Sequence, residues 1–168
     1  SIDRRSGVSA RFSIAAAETV AAAALHRAPV TGEETAVARI VDLESVVEVL
    51  RGKIEFESGE EGRELEILDH LMRKSKADAE RAHLGGVDLA TLQPALAEGD
   101  PVVTGDRVTA AAFLASIPDV PVLDEIATRL DADTEGKRAN AIELALEGLY
   151  LTRRIDKEAD ESGQTVYG

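Results

Sequence analysis

Residues 6–24, SGVSARFSIAAAETVAAAA, decide the fold expected for the first part of this chain. The apolar residues of this stretch follow the three-and-four spacing of one helical face: Phe12, Ala16, Val20, Ala23 and Ala24. Because alanine has the highest intrinsic helix propensity, the stretch predicts a helix from Ser9 to about Arg27. Pro29 lacks the amide hydrogen that a helix interior needs, so we expect it to stop this helix.

Arg11 lies in the first turn of the predicted helix. A guanidinium at this position presents a fixed planar donor fork beyond the helix end, and phosphate oxygens match that fork. The plain alternative is a surface arginine that makes a salt bridge or lies in water, because surface arginines are common. Arg4 and Arg5 precede the helix and could face a nucleotide or a neighbouring subunit, or remain solvated cations.

The stretch RSGVSARFSIAAAETV, residues 5–20, resembles the sensor-2 helix of AAA+ ATPases, in the style of the magnesium-chelatase ATPase subunits. In that family the arginine reaches from the helical lid to the nucleotide phosphates, and the resemblance carries this role to Arg11. It also implies ATP and magnesium as cofactors of a longer parent protein. The implied partners are the remaining AAA+ core, neighbouring subunits of a ring and a subunit with a von Willebrand factor A domain.

A phosphate-binding loop of the form G-x-x-x-x-G-K-[ST] is absent from the sequence. Gly52-Lys53 is followed by Ile54, and Gly136-Lys137 has Asp131 where the first glycine should stand. The chain therefore cannot cradle a triphosphate by itself, and we expect no catalytic residue and no cofactor within it. The resulting hypothesis is that the chain is the C-terminal part of an ATPase and couples its lid to a partner.

The predicted fold is all-α, with two parts. Asp42 is placed to cap a helix that runs to Leu50, while residues 30–41 could form a loop or a short strand. Residues 1–57 resemble the C-terminal portion of an AAA+ helical lid. Residues 58–168 are interpreted as a family-specific helical C-terminal domain.

In the second part, helical spacing and turn residues predict further helices over about 60–83, 88–98, 109–116, 122–130 and 134–156. Gly85 and Gly86 end the first of these. Apolar residues cover a broad face of the last helix, which predicts that this helix is buried. The tail after Asp156 is polar until Val166 and Tyr167, so it should be loose unless those two residues dock.

Composition narrows the classes of partner. Lysine and arginine total 19 against 32 acidic residues in 168, a net charge of -13, which argues against nucleic acid as the main partner. The sequence lacks an apolar run of the roughly 20 residues needed to cross a bilayer. Its lack of cysteine is compatible with a cytoplasmic setting. The alternative function consistent with this charge is a non-enzymatic acidic helical module that binds other proteins.

The segment DADTEG, residues 131–136, imitates the opening of a calcium-binding loop. The closing carboxylate should stand at the twelfth position, which Ile142 occupies, and Glu143 follows one residue too late. One residue on a helix rotates a side chain by about 100°, so Glu143 would point elsewhere. We therefore predict a polar turn in which Thr134 caps the last helix, and no metal site.

Two other groups of possible metal ligands have simpler interpretations. The carboxylates of residues 55–64 form a solvated acidic face or a docking surface for a basic partner; they are Glu55, Glu57, Glu60, Glu61 and Glu64. His26, His70 and His83 are too far apart in the sequence to form a helical metal pair. We expect these histidines at the surface or at helix ends.

Overall fold

The computed structural model describes residues 10–51, 62–162 and 164–168. Seven α-helices lie within these residues: α1 (Ala10–Thr31), α2 (Glu44–Arg51), α3 (Glu64–Leu84), α4 (Leu92–Glu98), α5 (Ala110–Ser116), α6 (Val122–Arg129) and α7 (Glu135–Leu151). Three short strands accompany them: β1 (Val102–Thr104), β2 (Lys157–Ala159) and β3 (Thr165–Tyr167). The predominantly helical fold is confirmed, while the sheet departs from the all-α prediction.

Helix α1 continues past Pro29 to Thr31, so the predicted stop at the proline is wrong. A proline this close to the helix end removes one hydrogen bond of the last turn and leaves the preceding turns intact. The Thr31 hydroxyl donates to the Arg27 carbonyl over 3.0 Å and supports that turn. Gly32, with φ at +77°, then lets the chain leave the helix.

The predicted capping role of Asp42 is also wrong. Asp42 lies in a 3-10 turn, Ile40–Leu43, that precedes α2, and its side chain is buried. Its Oδ2 accepts the Arg39 backbone N–H over 2.7 Å. The acid therefore closes the turn and faces the interior, where it meets a cation described below. Residues 32–39 adopt neither helix nor strand.

A small apolar cluster joins α1, α2 and α3. Val46 and Leu50 of α2 and Leu68 of α3 are buried at its centre. The partly buried residues packed on this cluster are Phe12, Ala16, Val20, Val47 and Met72. The predicted inner face of α1 thus packs as expected. The apolar spacing of α3 predicts an inner face made of Leu65, Leu68, Met72, Ser75, Ala79 and Ala82. This prediction is only partly right, because Leu68, Met72 and Ala79 face inward whereas Leu65, Ser75 and Ala82 are exposed.

Helix α7 forms the centre of the main core. Every residue from Ala141 to Leu149 is buried, and α3, α5 and α6 pack around this helix. The prediction that the last helix is buried is therefore confirmed. The helix ends at Leu151 instead of Asp156 because the chain turns back to enter the sheet. Arg153 makes that turn with a left-handed backbone, φ +59°.

The three strands form an antiparallel sheet in the order β1-β3-β2. Strand β3 is central, with Tyr167 opposite Val102 on one side and Lys157 on the other. The Tyr167 side chain is buried, and Val166 is half-buried. Both apolar residues of the tail thus dock, and the final residues complete the sheet instead of hanging loose.

Several local predictions are confirmed. The predicted cap at Thr134 is one of them, because the Thr134 side chain accepts the Lys137 N–H in the first turn of α7. The side chains of Thr109 and Asp88 accept backbone N–H groups in the same way, at the start of α5 and in the 3-10 turn Leu89–Thr91 before α4. The Gly85 N–H donates to the Arg81 carbonyl where α3 ends. The predicted boundary between residues 57 and 58 falls outside the described residues and stays a prediction. No helix within residues 10–51, 62–162 and 164–168 has both the length and the apolar character needed to cross a bilayer.

Candidate functional site

Arg11 is the second residue of α1, which places it in the first turn as predicted. Its side chain lies outside the described part of the structure, as do Arg4 and Arg5. The helix that carries Arg11 runs for 22 residues, about 33 Å at 1.5 Å per residue. A contact at Arg11 could act on the rest of the chain only through the contacts that fix the other end of α1.

Arg27 anchors that other end, and only 3 % of it is exposed. Its guanidinium donates to Asp42 over 3.0 Å, to Glu33 over 2.7 Å and to the Val37 carbonyl over 2.7 Å. Burial alone would lower the pKa of Arg27, but the hydrogen bond and charge of Asp42 raise it above its ordinary value. The guanidinium therefore stays charged and ties the end of α1 to the loop that follows it.

Glu33 extends this anchor to α5. One carboxylate oxygen accepts from Arg27, and the other accepts the Ala110 N–H over 2.7 Å. Burial raises the pKa of Glu33, but the hydrogen bonds from Ala110 and Thr31 and the charge of Arg27 outweigh burial, and the net pKa is lowered. Glu33 is therefore an ionised link between α1 and the start of α5.

Arg39 continues the network into the core. Its guanidinium donates to Glu143 over 2.5 Å, to the Thr104 hydroxyl over 3.0 Å and to the Val108 carbonyl over 2.7 Å. It also lies over the ring of Phe113, 5.5 Å from the centroid. Since Asp42 binds both the Arg27 guanidinium and the Arg39 backbone, the chain of contacts runs unbroken from α1 to α7.

A second buried carboxylate, Glu147, lies one turn after Glu143 on α7. Lys76 of α3 lies 2.7 Å from Glu147, Lys157 of β2 also contacts it, and the Tyr167 hydroxyl donates to it over 2.6 Å. Burial raises the pKa of Glu147, but the two ammonium groups reverse the shift and leave the pKa lowered. Burial, followed by the charge of Glu147, raises the pKa of Tyr167. The carboxylate thus joins α3, α7 and the sheet.

Sequence reasoning missed both networks. Apolar spacing treats a glutamate between apolar residues as part of an exposed face. One available signal was the breadth of the apolar face of α7, since a helix buried all round must also bury its acids. The partners could not have been found in this way, because Arg39 and Glu143 are 104 residues apart.

A cleft of about 490 Å³ lies over the first network. Its lining includes Arg27, Thr31, Glu33, Glu34, Thr109 and Glu135. The Arg27 guanidinium in this cleft already pairs with Glu33 and Asp42. Glu34 and Glu135 add exposed negative charge to the cleft. The networks therefore hold elements together, and their charges are matched within the fold.

The described residues contain no group of three or more acidic, histidine or cysteine side chains placed to hold a metal ion. Asp133 pairs with Lys137 over 2.6 Å in the turn that imitates a calcium loop, and Glu143 belongs to the buried network. His26, His70 and His83 are exposed. Of the acidic run, residues 55–61 lie outside the described residues, and Glu64 begins α3.

Comparisons with family models, with curated proteins and with solved structures found no match to this chain.

Proposed function

We propose that this chain is the C-terminal part of an AAA+ ATPase similar to the magnesium-chelatase ATPase subunits, in which α1 is the sensor-2 helix of the lid. The observation that carries the proposal is the anchoring of α1. Arg11 stands in its first turn, and Arg27 fixes its far end, through Asp42 and Arg39, to Glu143 in the core. A contact made at Arg11 would therefore act on the whole helical domain.

The physical basis is rigidity. Between Arg11 and Arg27 the helix spans roughly 24 Å, and Phe12, Ala16 and Val20 pack it against α2 and α3. The charge-assisted bonds of Arg27 and Arg39 are short and directional, so the helix cannot rotate without breaking buried ion pairs. A guanidinium drawn towards phosphate would shift α1 as one body and pass that shift to α7.

In this proposal the parent supplies the phosphate-binding loop and the residues that hold magnesium, and ATP binds between the parent's core and Arg11. Within this chain Arg11 contacts phosphate through its donor fork. Neighbouring subunits of a ring and a subunit with a von Willebrand factor A domain are the proposed partners. We place the parent in the cytoplasm, in keeping with a sequence that contains no cysteine.

The direct test is Arg11→Ala in the parent protein, compared with Arg11→Lys. We expect the alanine variant to slow ATP turnover, or to uncouple it from partner action, with an unchanged melting temperature. Lysine keeps the charge but loses the fork, so it should rescue poorly. Wild-type turnover and partner engagement in the alanine variant would refute the sensor role, as would an upstream coding sequence without a phosphate-binding loop.

A second measurement uses the 168-residue chain alone. It should hydrolyse no ATP and bind ATP with magnesium only weakly in calorimetry, because it has no phosphate-binding loop. Binding at micromolar affinity or better would contradict the proposed position of the nucleotide site. It would require a complete site within this chain.

The second candidate function is a non-enzymatic acidic interaction module, favoured by the net charge of -13. Exposed carboxylates such as Glu34, Glu125 and Glu135 would then bind a basic partner by charge complementarity. The two candidates differ in their dependence on Arg11. The interaction module would lose nothing in the Arg11→Ala variant, whereas the ATPase would lose coupling.

A further inference from the structure

The outer face of α1, opposite the face that packs against α2 and α3, is apolar and exposed. Of the large apolar side chains that the structure describes, five are exposed, and three of these lie on α1: Leu25 at 66 %, Val30 at 60 % and Ile14 at 55 %. The other exposed uncharged residues of the helix are Ser13, Ala17, Ala21, Ala22 and Pro29. Because its inner face is also apolar, α1 has the character of a helix that is covered on both sides.

Helix α3 shows how this chain builds a helix that faces water. Eleven of its 21 residues are acidic, basic or histidine. Exposed ion pairs join Arg73 to Asp69, and both Lys74 and Arg81 to Asp78. The outer face of α1 has no such pattern, although the helix is of nearly the same length, 22 residues. Solvation alone therefore does not account for the composition of α1.

The negative charge of the chain lies outside α1. This helix contains two arginines and one glutamate, a net charge of +1, so the rest of the chain carries -14 of the total of -13. At physiological salt, exposed charges more than about 8 Å apart are largely screened from one another. The outer face of α1 is therefore a surface where the charge of the chain does little to oppose an approaching acidic protein.

Two exposed groups of opposite chemistry lie on this face, Glu18 and His26. They are eight residues apart, about 12 Å along the helix, and cannot meet within one copy. Around Ala22 the row of residues four apart is symmetric, with the acid four residues before it and the imidazole four residues after it. Ile14 and Val30 extend the same symmetry by one further step on each side.

We propose that the outer face of α1 is a docking surface for a second copy of this chain, with the two helices antiparallel about a two-fold axis near Ala22. Each Glu18 then lies opposite His26 of the other copy, and each Ile14 opposite Val30. The imidazole N–H donates to the carboxylate, and symmetry forms every contact twice. A parallel pair would instead bring like groups together. The face is thus complementary to itself in charge and in shape.

The length of the face sets the strength of this association. From Ile14 to Val30 it extends about 24 Å, so it offers a single helix pair. Such a contact buries less than the roughly 800 Å² per partner of a standard interface, and we expect a dimer that dissociates in the micromolar range. The contact involves neither Arg11 nor nucleotide. Its test on the 168-residue chain without ATP is therefore separate from the test of the proposed ATPase.

The test is sedimentation equilibrium of the 168-residue chain at concentrations from about 10 to 500 μM, which suit an interface of this size. Ala22→Glu should weaken the dimer at least tenfold, because two carboxylates would meet near the axis. The matched control is Ala82→Glu, which adds the same charge at an exposed alanine of α3 and should dimerise as the wild-type chain does. A wild-type chain that stays monomeric throughout would overturn the proposal, as would an equal loss in the control.

Exchange of the two charged groups tests the antiparallel arrangement. Glu18→Lys and His26→Glu should each weaken the dimer about tenfold, because each change places groups of like charge opposite one another. The double variant should recover most of this loss, since the charges are again opposite. Circular dichroism of dilute samples should show the wild-type helix content in all three variants, because both residues are exposed. A double variant that dimerises no better than either single variant would overturn the proposal.

Discussion

The guanidinium of Arg39 lies 2.5 Å from the carboxylate of Glu143, and neither side chain is exposed to solvent. The pair joins the loop after α1 to the central helix α7. Desolvation of two charges is costly, so such a pair stabilises a fold only weakly relative to apolar residues of similar volume. The pair mainly holds the loop after α1 against α7. Removal of one partner would leave the other charge buried without a counter-ion.

Arg39→Met should therefore destabilise the chain strongly, by about 3–5 kcal/mol in the free energy of unfolding measured with urea. The double variant Arg39→Met with Glu143→Leu should recover much of this loss, because no uncompensated charge remains. The matched control is Arg73→Met, which breaks the exposed pair with Asp69 and should cost less than about 1 kcal/mol. A double variant no more stable than Arg39→Met would contradict this account.

Glu147 should make stability depend on pH in a defined direction. Folding lowers its pKa below the ordinary value of 4.5, so its contribution is complete above that value and is lost as the pH falls through the folded-state pKa. Glu147→Gln should cost about 3 kcal/mol at neutral pH, because two lysines lose their partner. The difference between variant and wild type should shrink below pH 4.5 in denaturant unfolding.

The control for this experiment is Glu158→Gln, a change at an exposed residue of the neighbouring strand β2. It should alter the unfolding free energy by less than about 0.5 kcal/mol at any pH. A difference for Glu147→Gln that stayed constant down to strongly acidic pH would show that the carboxylate is not stabilised in its ionised form.

Tyr167 should resist ionisation in the folded protein. Its hydroxyl donates to Glu147 in the core, and burial together with that negative charge raises its pKa. The chain has two tyrosines, so the Tyr150→Phe variant isolates the signal of Tyr167. In an ultraviolet titration of that variant, phenolate absorbance should appear only together with the loss of helical circular dichroism. Ionisation with the fold intact would refute the buried hydrogen bond.

Gly148 offers a test of packing between α3 and α7. A Cβ built at this position would lie 2.4 Å from the Cγ of Glu80. Because Cγ lies near the root of the Glu80 side chain, the whole side chain must change rotamer, and we expect Gly148→Ala to destabilise the fold by about 1–3 kcal/mol. In a Glu80→Ala background the same change should stabilise by about 1 kcal/mol. If Gly148→Ala destabilised the Glu80→Ala variant, the added methyl group would have to overlap a group other than the Glu80 side chain.

The local sequence determined where most helices begin and end. Apolar spacing identified the inner face of α1 and the buried helix α7, and the short polar residue Thr134 identified the cap of α7. These features depend on residues within one or two turns, which a pattern can register. The extension of α1 past Pro29 shows the limit of prediction from local pattern. A proline near a helix end removes only a backbone hydrogen bond of the last turn, so the helix need not stop there.

The tertiary structure decided what lies far apart along the chain. Strands β1 and β3 have three residues each and pair across about sixty residues, so neither carries a periodicity of its own. Asp42 had the sequence context of a helix cap, but the charge of Arg27 draws it into the interior. Glu143 and Glu147 became internal because α7 is surrounded, and their cations come from α3, the loop after α1 and the sheet. A buried charge must be matched wherever the fold brings a partner, and no local spacing encodes that match.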